Sequence, residues 1–437
     1  MVCFCLQPDV LRFPVEVTTS QLSRTTGLSC PPVFPLLAVL LLYRSHLMCN
    51  QCNKVKRTFG RLGSVDANVF VVHANRDVIK KGKHQDKKTL LDEITTPASA
   101  LRNTSGGLLV VHLKGQFPED RSLEYFDEFI SGSLNNLISN GTLYVHVYKR
   151  AWLNLKTGFQ EFSDFVAIRI EQDNSNVATV TFNTKIRSDF ETRDPSILNL
   201  VSLLTNKPRN SQSVPQIRGL PVHTSKQFEC RNCEFKAFQP MPEKVNEINE
   251  GKLDIVEYLW SDLKLRDNIT SFTKVPDGGS LYVGISEKLD TTTKSKYPVI
   301  TGFQLENTYE PEAWGVISVS DHQFKLRINR SQLERKIFDK LSELTLLNLN
   351  GEFINPPNDM IKVTFHKVEG RSADLHVLEV SVCYLDGVLF FDNGPRSHVV
   401  DTRQRPNKCK RMTNDEWLDR LFRRCVGCGQ QWGYFNK

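Results

Sequence analysis

The chain has 437 residues, 40% hydrophobic and 24% charged, with a formal net charge of +7 at pH 7. It is too apolar for a disordered chain and longer than the ~100 to 200 residues usual for one domain, so two packed units or one duplicated unit are expected. The modest basic excess favours a polyanionic partner such as nucleic acid without requiring one.

Residues 1–47 read as a poorly ordered N-terminal extension that joins no core. The long apolar run there, Val33 to Tyr43, has 11 residues with Pro35 inside it. A membrane-spanning helix needs ~20, so no stable transmembrane segment is expected. Met1 to Ser20 carries only Arg12 as a basic residue, which is not the shape of a secretory signal. Eleven cysteines without such a signal point to reduced thiols and a cytoplasmic protein.

From Val65 the pattern is mixed α/β. Val69 to Val72, Leu108 to Leu113 and Leu143 to Tyr148 read as strands. Between them Glu119 to Asn140 reads as a helix, with Leu123, Phe126, Phe129, Ile130 and Leu134 on one face. Pro208, Pro215, Gly219 and Pro221 interrupt a polar stretch and mark residues 206–225 as a linker. Farther on, strands are expected at Tyr297 to Phe303, Phe324 to Ile328, Ile361 to His366 and Val377 to Cys383, with an amphipathic helix over Arg330 to Leu347. Thr413 and Asn414 can cap a last helix, Thr413 to Arg423.

A weak internal repeat organises these elements. Asn103-Thr104-Ser105-Gly106-Gly107 precedes Leu108-Leu109-Val110-Val111, and Val275-Pro276-Asp277-Gly278-Gly279 precedes Ser280-Leu281-Tyr282-Val283. In both places a Gly-Gly turn feeds directly into a strand, where the chain must turn in little space. This gives a first lobe over 48–205, a second over 226–425 and a tail at 426–437.

The candidate chemistry lies in Phe228-Glu229-Cys230-Arg231-Asn232-Cys233-Glu234-Phe235-Lys236. On a strand, carboxylates five positions apart point to opposite faces, so Glu229 and Glu234 share a site only if a bend or loop intervenes. The expected arrangement has Glu229 on the loop, Glu234 at the start of a strand and Lys236 on the same face as Glu234. Clustered carboxylates need a cation, and Mg2+ or Mn2+ on oxygen ligands supplies one. A bare Glu-x4-Glu is equally readable as two solvated residues flanking a strand start.

The segment resembles the Schlafen family, in which two glutamates flank four residues and the second opens a Glu-Phe-Lys. The resemblance continues through Gly278-Gly279, Leu281-Tyr282-Val283, Gly284-Ile285 and Ser286-Glu287. Earlier it includes Ala100-Leu101-Arg102-Asn103 with Gly106-Gly107, and Leu143 to Leu155. It closes with Val377 to Val382, Gly387 to Phe391, Val399-Val400-Asp401 and Met412 to Leu421, so it spans roughly residues 66–425 in one consistent order.

The resemblance implies two pseudo-symmetric AlbA-type lobes in a horseshoe-shaped α/β (α+β) Schlafen core, with a basic cleft for RNA. It implies a divalent-metal endoribonuclease acting on transfer RNA or small-RNA precursors, including piRNA precursors. Glu229 and Glu234 would be metal ligands, Glu287 the third and Lys236 the residue beside the phosphate. The chain departs from the family in a longer stretch between Glu234 and Glu287, and in glutamate where the family has aspartate. It also has Asp386 and Gly387 where the family's structural zinc takes two cysteines. No helicase domain and no Gly-x4-Gly-Lys-Ser/Thr pattern is present, so the resemblance is to compact members, which work with related chains or copies of themselves. The alternative is a non-catalytic RNA-binding scaffold subunit.

Cys49-x-x-Cys52 and Cys425-x-x-Cys428 are two tetrahedral half-sites that together could hold zinc, or else surface thiols at two termini. Cys230-x-x-Cys233 reads as packing and spacing. The densest basic runs are Lys80, Lys81, Lys83, Lys87 and Lys88 in the first lobe, and Arg403, Arg405, Lys408, Lys410 and Arg411 in the second. Each run is a candidate phosphate contact or a solvated loop. Trp152 and Trp260 sit in apolar patterns that favour core packing over base stacking.

Overall fold

The computed structural model describes residues 49–62, 68–115, 123–135, 137, 148–153, 161–172, 177–188, 191–205, 214–220, 229–289, 291, 296–305, 315–319, 322–326, 329–369, 375–404 and 407–422. The expectations placed on residues 1–47, on Leu143 to Val147, and on Cys425 and Cys428 therefore lie outside the described residues. The chain is mixed α/β and divides into two compact units. One takes residues up to 94 with 105–129 and 148–171, and the other takes 95–104, 130–147 and everything from 172. The expected linker at 206–225 is thus flanked on both sides by residues of the second unit.

In chain order the first elements are α1 (Asn50–Leu62), β1 (Asn68–Asn75), α2 (Arg76–Lys81), α3 (His84–Arg102), β2 (Gly107–Lys114), α4 (Glu124–Asn135), β3 (Tyr148–Trp152) and β4 (Phe165–Ile170). The four strands make one sheet in the order β1-β2-β4-β3. β1 and β2 are parallel, and β2–β4 and β4–β3 are antiparallel. Valine, leucine and isoleucine run through β1, β2 and β4 because these strands are largely buried. Cys52, Val55 and Phe59 recur at helical spacing on α1 and pack on Val71, Val110, Phe165 and Ala167 of the sheet.

The second unit begins with β5 (Thr179–Thr181), β6 (Ile186–Ser188), β7 (Glu191–Arg193) and α5 (Ile197–Thr205). It continues with β8 (Cys233–Lys236), α6 (Pro242–Asn249), α7 (Leu265–Phe272), β9 (Gly279–Val283), β10 (Ile285–Leu289), β11 (Lys296–Ile300) and β12 (Phe303–Gln304). Then come β13 (Gly315–Val319), β14 (His322–Leu326), α8 (Arg330–Leu341), β15 (Thr345–Leu347), β16 (Phe353–Ile354), β17 (Ile361–Lys367), β18 (Leu375–Val382), β19 (Val388–Phe390), β20 (Arg396–Asp401), β21 (Lys408–Arg411) and α9 (Asn414–Phe422).

The main sheet here joins β8 to β9 in parallel, β9 to β18 antiparallel and β18 to β17 antiparallel. That is the sequence of orientations found in β1-β2-β4-β3. The register agrees as well: Gly107 pairs with Ile170 and Ile170 with Tyr148, as Gly279 pairs with Val382 and Val382 with Ile361. An asparagine at the entry of the first strand pair completes the likeness, Asn68 opening β1 and Asn232 standing just before β8. Asn68 donates its amide to the Gly106 carbonyl at 3.2 Å. Asn232 donates to the Gly278 carbonyl at 2.6 Å.

The second Gly-Gly turn has no room for side chains. Gly278 has φ +64°, and a Cβ there would stand 1.9 Å from the Val382 carbonyl oxygen; a Cβ on Gly279 would stand 2.1 Å from the Phe272 ring. Gly302, at φ +63°, ends the long strand expected over Tyr297 to Phe303 and divides it into β11 and β12. The helix expected over Arg330 to Leu347 stops at Leu341, and its last residues form β15 instead. At α9 the expected cap is a reciprocal box: Glu416 N–H donates to Thr413 Oγ1 at 3.1 Å and Thr413 N–H donates to Glu416 Oε2 at 2.8 Å.

Candidate functional site

Two clusters carry chemistry, one in each unit. In the second unit the Cys-x-x-Cys stretch is a tight turn. Cys230 and Cys233 exchange both backbone hydrogen bonds at 3.1 Å, with Arg231 and Asn232 at the tip. In such a hairpin the next residues outward face each other, so Glu229 lies alongside Glu234 despite the odd spacing. Glu229 Oε1 accepts the Phe235 N–H at 3.0 Å, which fixes the loop against β8. Burial pushes the Cys233 thiol up, and the two exchanged backbone bonds make the pair a turn.

Glu234 is buried on the face of β8 that also carries Lys236, and its carboxylate is ion-paired with both Lys236 and Arg187. The Arg187 contact is 2.6 Å, and the Arg187 side chain is fully buried. Arg187 lies on β6. It also donates at 3.0 Å to the carbonyls of Cys230 and Cys233, so one guanidinium holds both the turn and the carboxylate. Glu287 on β10 pairs with Lys296 at 2.9 Å.

Electrostatics tie the three glutamates together. Burial raises the Glu229 carboxyl above the ordinary range, the charges of Glu234 and Glu287 add to the rise, and the Phe235 N–H and Lys236 oppose it. Lys296 is held above the usual lysine range, first by Glu287 and then by the more distant charges of Glu229 and Glu234. Arg187, Lys236 and Lys296 therefore supply the positive charge that this group needs. Sequence reasoning passed over Arg187 and Lys296, because neither belongs to a motif and both arrive by tertiary folding.

The first unit holds a second cluster. Among the described residues, Cys49, His73 and His112 are the one group of three or more His, Cys, Asp or Glu whose ligand atoms lie within 4.8 Å of one another, and it could hold a metal ion. The three glutamates do not close to that separation in the arrangement described. His73 and His112 are register partners on the parallel strands β1 and β2, so their rings emerge side by side and stack at 4.9 Å. His112 also stacks on Phe165 at 4.3 Å. Cys49 stands immediately before α1 and Cys52 lies in its first turn, which places both thiols against His112. Sequence reasoning found the two cysteines and missed the two histidines, whose signal was one His in each of two strands that had to be adjacent.

In the basic runs Lys80, Lys81, Lys83, Lys88, Arg403, Lys408, Lys410 and Arg411 are exposed. Arg411 is tied to the carbonyls of Asp392, Asn393 and Gly394, which gives it a structural task. Trp152 and Trp260 are buried at 4% and 3% exposure, so neither offers a face to a base. No helix among the described residues is long and apolar enough to cross a membrane. Comparison with models of known protein families finds no match, and neither does comparison with curated proteins.

Proposed function

We propose that the chain is a divalent-metal-dependent endoribonuclease of Schlafen type. Its two units would be AlbA-like lobes of a horseshoe core, acting on transfer RNA or small-RNA precursors such as piRNA precursors, alone or with related chains. The observation that carries this reading is the Cys230–Cys233 turn, which sets Glu229 beside Glu234 while Glu287 is near enough to raise the Glu229 carboxyl. Glu229, Glu234 and Glu287 would hold Mg2+ or Mn2+ through oxygen. When bound, the metal supplies Lewis acidity and an activated water for phosphodiester cleavage.

The chain's own residues have defined parts. Lys296 is 63% exposed, so it can swing away from Glu287 at low cost, and Lys236, 28% exposed, can turn to a phosphate oxygen. Arg187, fully buried, stays and holds Glu234 in place. The exposed lysines of both basic runs contribute phosphate contacts, which govern affinity.

The test uses full-length protein with labelled transfer RNA and a capped small-RNA precursor, with and without manganese. Glu234→Gln should fold, bind RNA and cut at least ~100-fold more slowly, a barrier increase of about 2.7 kcal/mol. One observation favours a second reading, a non-catalytic RNA-binding scaffold: the buried Arg187–Glu234 pair already neutralises the central carboxylate. That reading takes over if the wild-type protein, alone or with related chains, leaves both RNAs intact, or if Glu234→Gln cuts at the wild-type rate.

A further inference from the structure

We propose that Cys49, Cys52, His73 and His112 bind one zinc ion in the first unit. Cys49 Sγ and Cys52 Sγ lie 3.3 and 3.2 Å from the same atom, His112 Nδ1. Around tetrahedral zinc, with bonds of about 2.3 Å to sulfur and 2.0 to 2.1 Å to nitrogen, adjacent sulfur and nitrogen ligands stand about 3.5 Å apart. The observed separations are close to those edges. His73 completes the set, since its ligand atom lies within 4.8 Å of those of Cys49 and His112.

The surroundings are arranged as around a bound cation. His112 Nε2 is 2.7 Å from Asp164 Oδ2, a contact that places the ring proton on Nε2 and leaves the Nδ1 lone pair facing the two sulfurs. The Cys52 N–H points at Cys49 Sγ, 3.5 Å away, and Cys49 sits at the N-terminal end of the 13-residue α1, where the backbone favours a thiolate. Cys52 and His112 are 0% and 3% exposed, and the Phe165 ring covers His112, so water is largely kept from the centre. Two thiolates and two imidazoles select zinc over the oxygen-seeking magnesium or manganese. Cys49, His73 and His112 form the mutually close group, and Cys52, whose sulfur reaches His112 Nδ1, would supply the fourth ligand, the pattern of a structural ion that fastens α1 to the sheet. Binding releases the two thiol protons.

This site is independent of the glutamate cluster, and its test does not involve RNA cleavage. Full-length protein purified without chelator should contain about one zinc per chain by elemental analysis. Cys52→Ser and His73→Ala should lose it, Asp164→Ala should bind it about 10- to 100-fold more weakly, and the double change Cys425→Ser with Cys428→Ser should keep it. Because the ligand variants risk misfolding, a second reading is taken on the wild type. Replacement by cobalt should give tetrahedral ligand-field bands in the visible and a charge-transfer band with the intensity of two thiolates. The proposal is overturned if the wild type takes up neither metal or if zinc survives Cys52→Ser. It is also overturned if cobalt shows four thiolates that vanish with Cys425→Ser and Cys428→Ser, which would assign the ion to the four cysteines.

Discussion

The strand that follows each Gly-Gly turn meets the same neighbours: β2 has a parallel partner in β1 and an antiparallel one in β4, as β9 has in β8 and β18. Aligned on Asn68 with Asn232 and on Gly107 with Gly279, the two sheets can be compared position by position. Phe70 then stands where the second sheet has Glu234, and Val72 where it has Lys236. In the other direction, His112 stands where the second sheet has Gly284, and Ala167 where it has Glu379. The Cys/His cluster and Glu234 occupy opposite faces of equivalent sheets. The positions both sheets share, the asparagine and the glycines, close the turn and set the register. Chemistry has been placed at positions that this frame leaves free, and differently in each sheet.

The sharpest way to break the contrast is to give the second sheet the apolar edge of the first. Arg187→Leu removes the fully buried cation beside Glu234 and leaves that carboxylate with Lys236 alone. A stability loss of about 3 to 5 kcal/mol is expected, because the remaining carboxylate has lost its buried partner. Adding Glu234→Leu should recover most of it, since the edge then resembles that of β1. Urea denaturation of the two proteins checks this. A neutral Arg187→Leu would mean that the pair does not hold the turn and β8 together.

A smaller effect tests whether the frames are equivalent. Asn68 donates to Ser105 Oγ at 3.0 Å and to the Gly106 carbonyl at 3.2 Å, and Asn232 donates to the carbonyls of Pro276 at 3.2 Å and Gly278 at 2.6 Å. Asn68→Ala and Asn232→Ala should each cost about 1 to 2 kcal/mol, the usual range when a buried acceptor loses its donor. Hydrogen exchange of β2 in the first variant and β9 in the second locates the loss. If one variant is silent, the likeness of the two turns is geometric only.

How much of this was legible in the sequence follows from the range of each interaction. The Gly-Gly turns, the strands Val69 to Val72 and Ile361 to His366, and the Thr413 cap depend on near neighbours, and they lie where local pattern puts them. The placement of Glu229 on a loop, Glu234 on a strand and Lys236 on the same face was readable from alternation. Their odd spacing made an intervening bend the condition for Glu229 and Glu234 to share a site, and the Cys230–Cys233 turn is such a bend. Arg187 lies 47 positions from Glu234, and His73 and His112 lie 39 apart on strands whose pairing no local signal sets. Strand order, not residue type, brings those groups together, so they emerge only from the fold.

The smallest expected effect concerns Glu379, the polar counterpart of Ala167. Its carboxylate is 0% exposed and accepts from Arg218 N–H at 2.9 Å, Ser280 Oγ at 2.8 Å, Ser381 Oγ at 2.9 Å and Tyr282 OH at 3.2 Å, with His366 Nε2 at 2.7 Å. Burial alone would raise its pKa, but these donors outweigh burial and hold it below the ordinary carboxylate value of 4.5. A depressed folded-state pKa means that the unfolded chain binds the proton more readily. The stabilisation is then complete above about pH 4.5 and is lost as pH falls through the lower folded value. Glu379→Gln should be less stable than the wild type at neutral pH, and the two urea midpoints should converge in acid as the wild-type carboxylate protonates. Ala167 has no charge to titrate, so nothing comparable is expected from that position of the first sheet. Midpoints that stay parallel from neutral to acid pH would show that the Glu379 charge is not the source of the difference, and that its hydrogen bonds act equally well without it.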